Sequence, residues 1–134
     1  MALLIRRTVA APVAVIWDLL VDTRQWPKWG PSVLAVACSE QRIVAGSRGR
    51  VRTAAGIWVP FRITTFDEPW YWHWQVCGVP ATGHRLRALC DDRTELIFEV
   101  PWPAAPYGIV CSEAARRIAI LSEAAPSTAE HRGQ

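Results

Sequence analysis

The sequence predicts an α+β domain built on a single antiparallel sheet. Apolar residues at helical spacing follow directly after a first short strand, which predicts short helices there. About six short runs of alternating polar and apolar residues come next, separated by turn signals, and a final apolar stripe predicts a C-terminal helix. Strands that follow one another without long crossovers favour antiparallel pairing.

Composition and charge exclude several classes of protein. The chain has 134 residues, enough for one domain, and its 51% hydrophobic and 20% charged residues exclude a disordered chain. No apolar run is long enough to span a membrane, and the first charges follow the apolar residues, unlike in a signal peptide. We therefore expect a cytoplasmic protein without integral membrane association. The net charge of +3 is too small and too dispersed to indicate a nucleic-acid partner.

The four cysteines, Cys38, Cys77, Cys90 and Cys111, predict neither a metal site nor disulfides. No two of them form a C-x-x-C pair, and none is close to a histidine at metal-ligand spacing. In a reducing compartment we expect free thiols that act as small buried apolar residues. We therefore expect no metal and no cofactor.

The first strand and two short helices are predicted from the first 29 residues. Residues 3–9 favour a strand, and Pro12 suits the first turn of the helix that follows. Apolar residues at positions 13, 16, 17 and 20 give this helix one apolar side, and it ends near Asp22. A second helical turn over 24–26 is limited by Pro27.

The next strands are predicted at 33–38, at 48–53 and from residue 58 onwards. The loop 54–56 has three residues with a glycine at its last position, which sets Val51 opposite Val59. The same register sets Trp58 opposite Arg52 on the outer face, where we expect a cation–π contact.

Six arginines share that outer face, and we interpret it as a solvated surface. A nucleic-acid or membrane surface is the alternative, but Glu95 and Glu99 lie on the same face and the net charge is low. The six arginines are Arg48, Arg50, Arg52, Arg62, Arg85 and Arg87.

The last three strands are predicted at 70–76, 83–89 and 94–100. A period of two places Trp70, Trp72 and Trp74 together on the inner face. A turn at 91–93 sets Arg85 against Glu99, a favourable pair, and sets three apolar-face pairs opposite each other: His84 with Val100, Leu86 with Phe98, and Ala88 with Leu96.

The C-terminal helix runs from Tyr107 to about Ser122, so residues 1–122 form the predicted domain and 123–134 a flexible tail. Large side chains on a curved sheet, covered by one helix with a narrow apolar stripe, favour an internal cavity. The predicted lining comes from the sheet and this helix: Phe61, Ile63, Trp72, Trp74, His84, Leu86, Phe98, Tyr107, Cys111, Ala114 and Ile118.

The pattern resembles the START/Bet v 1-like superfamily, also called SRPBCC, and most closely its bacterial polyketide cyclase/dehydrase and lipid-transport branch. The resemblance covers about residues 2–122. It is carried by Ala11-Pro12, Val15-Ile16-Trp17-Asp18-Leu19-Leu20, Asp22, Trp26-Pro27-Lys28-Trp29, Pro31, Gly46-Ser47-x-Gly49-x-Val51, Trp74-x-Val76-x-Gly78 and Gly83-His84-Arg85.

This resemblance implies a helix-grip fold, in which a seven-stranded antiparallel sheet grips the C-terminal helix around a hydrophobic cavity. It also implies that Trp26 and Trp29 lie near the cavity mouth, where packing of the short helices is favoured over gating. The helix is short for the family and Pro103 and Pro106 crowd its start, so the cavity is expected to be small or filled by tryptophans.

Three functions stay open at this point. The favoured one is a carrier or sensor that binds a small hydrophobic or aromatic, lipid- or polyketide-like molecule. The second is a polyketide cyclase or dehydratase that uses His84 or Tyr107 as acid or base, although no catalytic constellation is visible and a His84 bonded to backbone is favoured. The third is a protein-binding module with a filled interior. The ligand's identity and a possible homodimer are left open.

Overall fold

The computed structural model describes residues 2–124. Residues 125–134, most of the tail that the sequence predicts to be flexible, lie outside the described part. The strands are β1 (Ala2–Val9), β2 (Val33–Cys38), β3 (Arg48–Thr53), β4 (Trp58–Asp67), β5 (Tyr71–Val76), β6 (Val79–Cys90) and β7 (Arg93–Pro101). The helices are α1 (Val13–Val21), α2 (Trp26–Trp29) and α3 (Gly108–Ala124), and a 3₁₀ segment (Trp102–Tyr107) leads into α3.

The seven strands form one antiparallel sheet in the order β1-β7-β6-β5-β4-β3-β2. The long helix α3 packs against β1 and β7 and also touches α1 and α2. The predicted α+β class, the helix-grip arrangement and the two short helices after the first strand are therefore confirmed. Between 2 and 124, no helix is both long enough and apolar enough to cross a membrane.

The register of the β3–β4 hairpin agrees with the prediction, and one contact on it does not. Val51 pairs with Val59 and Arg52 with Trp58, as the three-residue loop requires. The guanidinium over the Trp58 ring belongs to Arg50, 5.4 Å from the ring centroid, and not to Arg52. The reason is that Arg52 turns its Nε towards the Gly56 carbonyl in the loop.

The β6–β7 hairpin differs from the prediction by two residues. His84 pairs with Phe98 and Leu86 with Leu96, because Cys90 pairs with Arg93 around a two-residue turn, and the register shifts once between Ala88 and Cys90. A shift of two keeps every side chain on its predicted face, whereas a shift of one would have inverted them.

The predicted pair of Arg85 with Glu99 survives this shift, and a second pair that was not predicted lies beside it. Arg85 and Glu99 meet diagonally, 3.2 Å apart, and Arg87 pairs with Glu95 at 2.8 Å. Within the described residues no ion pair involves the arginines of β3 and β4, namely Arg48, Arg50, Arg52 and Arg62.

Two predictions of burial are wrong at the ends of strands. Trp70 is 41% exposed, because it belongs to the turn before β5 and not to the strand. Cys77 and Cys90 are exposed because each lies next to a hairpin turn, whereas Cys111 is buried in α3. All four thiols are free, as predicted.

Candidate functional site

A small cavity lies between the sheet, the short helix α2 and the start of α3. Its volume is about 40 Å³, far below the ~300–1,000 Å³ of ordinary ligand pockets. Its walls are almost entirely apolar and aromatic, and they are formed by Trp26, Trp29, Gly30, Pro31, Ser32, Val33, Trp72, Trp74, Thr82, His84, Phe98, Tyr107, Val110, Cys111 and Ala114.

Helix α2 supplies two of the tryptophans that make the cavity small. It is only four residues long, and both of its indoles donate to carbonyls in the last turn of α1: Trp26 to Leu20 at 2.9 Å and Trp29 to Leu19 at 2.7 Å. The last carbonyls of a helix have no partner within the helix, so these bonds satisfy them and also fix α2 against α1. Trp26 is thereby held over the sheet.

Three aromatic rings stack across the wall. The Trp26 ring lies 5.5 Å from the Trp72 ring at an angle of 9°, and the Trp72 ring lies 3.8 Å from the His84 ring at 18°. Trp74 meets both Trp26 and Trp72 edge-on. Stacked and edge-to-face pairs are the arrangements that aromatic rings prefer, so this wall is well packed.

A chain of hydrogen bonds runs through the same wall. The Trp74 Nε1 lies 3.0 Å from the Thr82 Oγ1, which lies 3.3 Å from the His84 Nε2, and the His84 Nδ1 lies 3.3 Å from the Trp72 carbonyl. An indole nitrogen only donates and a carbonyl only accepts. The direction is therefore fixed at both ends: Thr82 donates to Nε2, and His84 carries its proton on Nδ1.

His84 is neutral in this setting. Burial lowers its pKa to about 3, because the charged imidazolium would lose its hydration. Both ring nitrogens already have partners within the protein. The ring can neither give nor take a proton near neutral pH unless these bonds break.

Tyr107 lies at the edge of the cavity. It ends the 3₁₀ segment, it is 39% exposed, and its hydroxyl forms a hydrogen bond with the hydroxyl of Ser32, just before β2. Burial of the phenol raises the pKa of Tyr107. Cys111 lies behind it, and burial raises the pKa of its thiol to about 12, so Cys111 stays protonated.

An open apolar cleft adjoins the cavity from outside. Its volume is about 300 Å³. Trp74, Thr82 and Tyr107 line both spaces and so form the partition between them. The other walls of the cleft are Val76, Val79, Pro80, Ala81, Pro101 and Ala104.

The predicted site residues fall into two groups. The cavity is lined by Trp72, Trp74, His84, Phe98, Tyr107, Cys111 and Ala114. Four others are buried in the surrounding core without lining it, namely Phe61, Ile63, Leu86 and Ile118. They share the inner face, but alternation alone cannot tell how far along a strand the cavity extends.

Sequence reasoning missed several lining residues. Thr82 shares the face of His84 two residues earlier, and that spacing could have revealed it. Val110 precedes Cys111 on α3, and the 30–33 segment follows α2. Only the packing of α2 against the sheet brings that segment to the cavity. In residues 2–124 there is no cluster of three or more His, Cys, Asp or Glu that could hold a metal ion.

Comparison with known proteins gives one family and many similar folds. The family model described as polyketide cyclase / dehydrase and lipid transport matches residues 5–95. No curated protein matches the chain.

Three solved structures illustrate the likeness of fold. The Zhui aromatase/cyclase from Streptomyces sp. R1128 has a TM-score of 0.72 at 15% identity, over 92% of this chain and 93% of that one. XoxI from Bacillus cereus has a TM-score of 0.71 at 9% identity, over 90% and 94%. The di-domain ARO/CYC StfQ from the steffimycin biosynthetic pathway has a TM-score of 0.71 at 18% identity, over 97% of this chain and 46% of that one.

Proposed function

Because this chain belongs to the polyketide cyclase/dehydrase and lipid transport family, we propose that it binds a small hydrophobic or aromatic molecule between its sheet and α3, as a carrier or sensor. The family and the aromatase/cyclase neighbours support a ligand-binding or cyclase role. The observation that favours binding over catalysis is the state of His84, which is neutral and hydrogen-bonded at both ring nitrogens.

The lining of the cavity supports the proposed chemistry of the ligand. Apolar and aromatic walls with few polar groups are typical of sites for small hydrophobic molecules. Here those walls include four indole rings and the Phe98 ring. Cys111 is protonated and His84 is engaged, so the wall offers a binder flat apolar contact without a free nucleophile or base.

In this conformation the cavity is too small for a ring-bearing ligand, so binding must involve movement. Ligand pockets usually measure ~300–1,000 Å³, whereas the cavity measures about 40 Å³ and the adjoining cleft about 300 Å³. Displacing Tyr107 would join the two spaces. In this proposal the ligand lies with most of its body in the cleft and one end in the cavity.

Filling the cavity tests this function. Ala114→Leu would place a larger side chain in the cavity, and Ser112→Leu would place the same side chain on the exposed side of α3. We expect calorimetry with a panel of bicyclic aromatics and medium-chain fatty acids to find a ligand for the wild type. Its affinity should fall at least about tenfold in Ala114→Leu and stay unchanged in Ser112→Leu. Equal affinity in all three proteins would contradict the proposed site.

A cyclase or dehydratase activity is the second candidate. It is favoured by the two aromatase/cyclase neighbours and by the fact that His84 and Tyr107 line the same cavity. Of the two, Tyr107 is the better candidate for an acid, because its hydroxyl is protonated and lies at the cavity edge. Turnover of a poly-β-ketone thioester that Tyr107→Phe abolishes would favour the enzyme over the carrier. Binding without turnover would favour the carrier.

The cytoplasmic location, the lack of a nucleic-acid partner and a possible homodimer stay predictions from the sequence. Analytical ultracentrifugation would decide the last of these.

A further inference from the structure

The indole nitrogen of Trp72 is a hydrogen-bond donor without an acceptor. Trp72 is 1% exposed, and no acceptor within the described residues reaches its Nε1. The other three tryptophans of the cavity wall all donate within the protein, Trp26 and Trp29 to carbonyls of α1 and Trp74 to Thr82. Buried donors in native proteins are nearly always paired, so this exception needs a reason.

Its position distinguishes Trp72 from the other unpaired buried groups. The described residues contain two more, the Trp17 Nε1 and the Ser122 Oγ. Neither of these residues lines the cavity, whereas Trp72 does. Of the three groups, only the Trp72 Nε1 therefore belongs to a residue of the cavity wall.

Both faces of the Trp72 ring are covered by other rings. Trp26 stacks on it at 5.5 Å and His84 at 3.8 Å, both nearly parallel to it. Trp26 and His84 are not themselves in ring contact, as expected if they lie on opposite faces. The Trp72 ring is therefore approachable only at its edge, to which the N–H belongs. The Nε1 is itself buried, so the movement that admits a ligand must also bring the acceptor to it.

The other polar groups of the inner wall are already engaged. Thr82 and His84 use their hydrogen-bonding atoms in the chain between Trp74 and the Trp72 carbonyl. A ligand hydroxyl also carries a donor, and that donor would need an acceptor within the buried wall. A carbonyl oxygen only accepts, so it matches a lone N–H without leaving a new group unpaired.

We propose that the Trp72 N–H selects ligands that carry a carbonyl oxygen on an apolar ring system and binds that oxygen inside the cavity. This inference rests on the proposed ligand-binding function and adds its chemical class and the residue that recognises it.

Three ring systems of the same shape test this specificity. Tetralin, α-tetralone and α-tetralol differ only in carrying no oxygen, a carbonyl or a hydroxyl. Their affinities for the wild type and for Trp72→Phe are measured by calorimetry, and the ratio of tetralone to tetralin affinity is compared between the proteins. This double comparison cancels the different water solubilities of the compounds. We expect the ratio to fall about tenfold in Trp72→Phe, with tetralol affected less than tetralone.

Trp74→Phe is the matched control. It removes another indole N–H from the same wall, but one that is committed to Thr82. We expect it to weaken both compounds together and to leave the ratio unchanged. A ratio that falls equally in both variants, or in neither, would overturn the role of Trp72.

A measurement on the wild type keeps the test independent of mutant folding. With ¹⁵N-labelled protein, the Trp72 side-chain N–H signal should move further downfield when tetralone binds than when tetralin binds, because the two share the same aromatic ring and only tetralone accepts a hydrogen bond. If tetralin and tetralone both bind and shift this signal equally, the carbonyl selection is wrong and the proposed function stands. If no compound of the series or of the wider panel binds, the proposed function fails and this inference fails with it.

Discussion

The surroundings of His84, more than the imidazole itself, determine what it can do. Four aromatic rings contact it, and Thr82 and a backbone carbonyl are hydrogen-bonded to its two nitrogens. The four rings are those of Trp29, Trp72, Trp74 and Phe98. Strand alternation predicted correctly that it faces inwards. The spacing of Thr82 and His84 on one face of β6 could have revealed the first partner. The Trp72 carbonyl could not be predicted, because it reaches His84 through the pairing of β5 with β6.

The stability of the protein should depend on pH through His84. Its pKa is about 3 in the folded protein against an ordinary value of 6.5, so between these values the unfolded chain binds a proton that the folded chain does not. The free energy of unfolding should therefore fall as the pH falls below 6.5, by up to ~1.4 kcal/mol per pH unit. Urea denaturation between pH 7 and pH 5 measures this slope.

His84→Gln is the control for this slope, because an amide can keep a donor and an acceptor but does not titrate. We expect the wild type to lose about 2 kcal/mol more than the variant between pH 7 and pH 5. Glu113 adds a separate loss only below its ordinary value of 4.5, because hydrogen bonds from Arg116 and Arg117 lower its pKa to about 2. Parallel curves for the two proteins above pH 5 would disprove the assignment to His84.

The hydroxyl of Thr82 should contribute to the stability of the protein. Thr82→Val keeps the shape but leaves the Trp74 N–H and the His84 Nε2 without partners in a buried wall. We expect a loss of about 2–4 kcal/mol in the free energy of unfolding, since each unpaired buried group costs ~1–3 kcal/mol. Thr82→Ser keeps the hydroxyl and should lose about 1 kcal/mol, mainly from the missing methyl group. Equal losses in the two variants would contradict the hydrogen-bonded chain.

At the scale of elements, the register of a hairpin was predicted correctly only where the sequence marked the ends of its turn clearly. The loop before β4 has a glycine at positive φ, Gly56, and its three residues fixed the register of β3 and β4 correctly. The predicted turn before β7 spans Asp91, Asp92 and Arg93, and nothing in these residue types marks where the turn ends. The sequence therefore did not show that Arg93 pairs with Cys90 as part of the strands.

A glycine in β3 allows an aromatic ring to lie on the strand. A Cβ at Gly49 would collide with the Ala37 carbonyl of β2 and come within 3.0 Å of the Phe61 ring of β4. We expect Gly49→Ala to lower the free energy of unfolding by about 2–3 kcal/mol, because a backbone atom cannot move aside.

Gly108→Ala, at the start of α3, is the comparison for this variant. There the new Cβ would meet only the end of the Leu3 side chain, at 2.9 Å, which can rotate away, and alanine favours the helix. We expect it to change stability by less than about 1 kcal/mol. A Gly49→Ala protein as stable as Gly108→Ala would show that β2 and β3 are not so closely packed. Chemical denaturation of both variants decides this.

On the scale of the whole molecule, the site depends on segments far apart in the chain. The fold could be predicted from the sequence because its strands, helices and turns depend mainly on residues that are close together in the chain. A small cavity was expected from the short C-terminal helix, but the stacking of Trp26 on Trp72 was not, because it depends on how α2 packs against the sheet. The partition between cavity and cleft joins Trp74 and Thr82 of the sheet to Tyr107 before α3.

The hydrogen bond between Ser32 and Tyr107 should control entry to the cavity. It links the start of β2 to the end of the 3₁₀ segment. Tyr107→Phe removes this bond and keeps the ring, so we expect an anilinonaphthalene sulfonate probe to associate about threefold faster in stopped-flow fluorescence. Ser32→Ala should have the same effect, and the double variant should add nothing further. Unchanged association rates, or single-variant effects that add in the double variant, would contradict a role of this hydrogen bond in entry to the cavity.

The first strand of this sheet in chain order is paired with the last one. Ala2 lies opposite Pro101 and Val9 opposite Thr94, so β1 has no neighbour until almost the whole domain has been translated. At ~5–20 residues per second, the wait is on the order of 5–20 s. During that time an unpaired apolar strand could recruit strands of other nascent chains. Arg6 and Arg7, both exposed in β1, give the waiting strand positive charge that opposes such pairing.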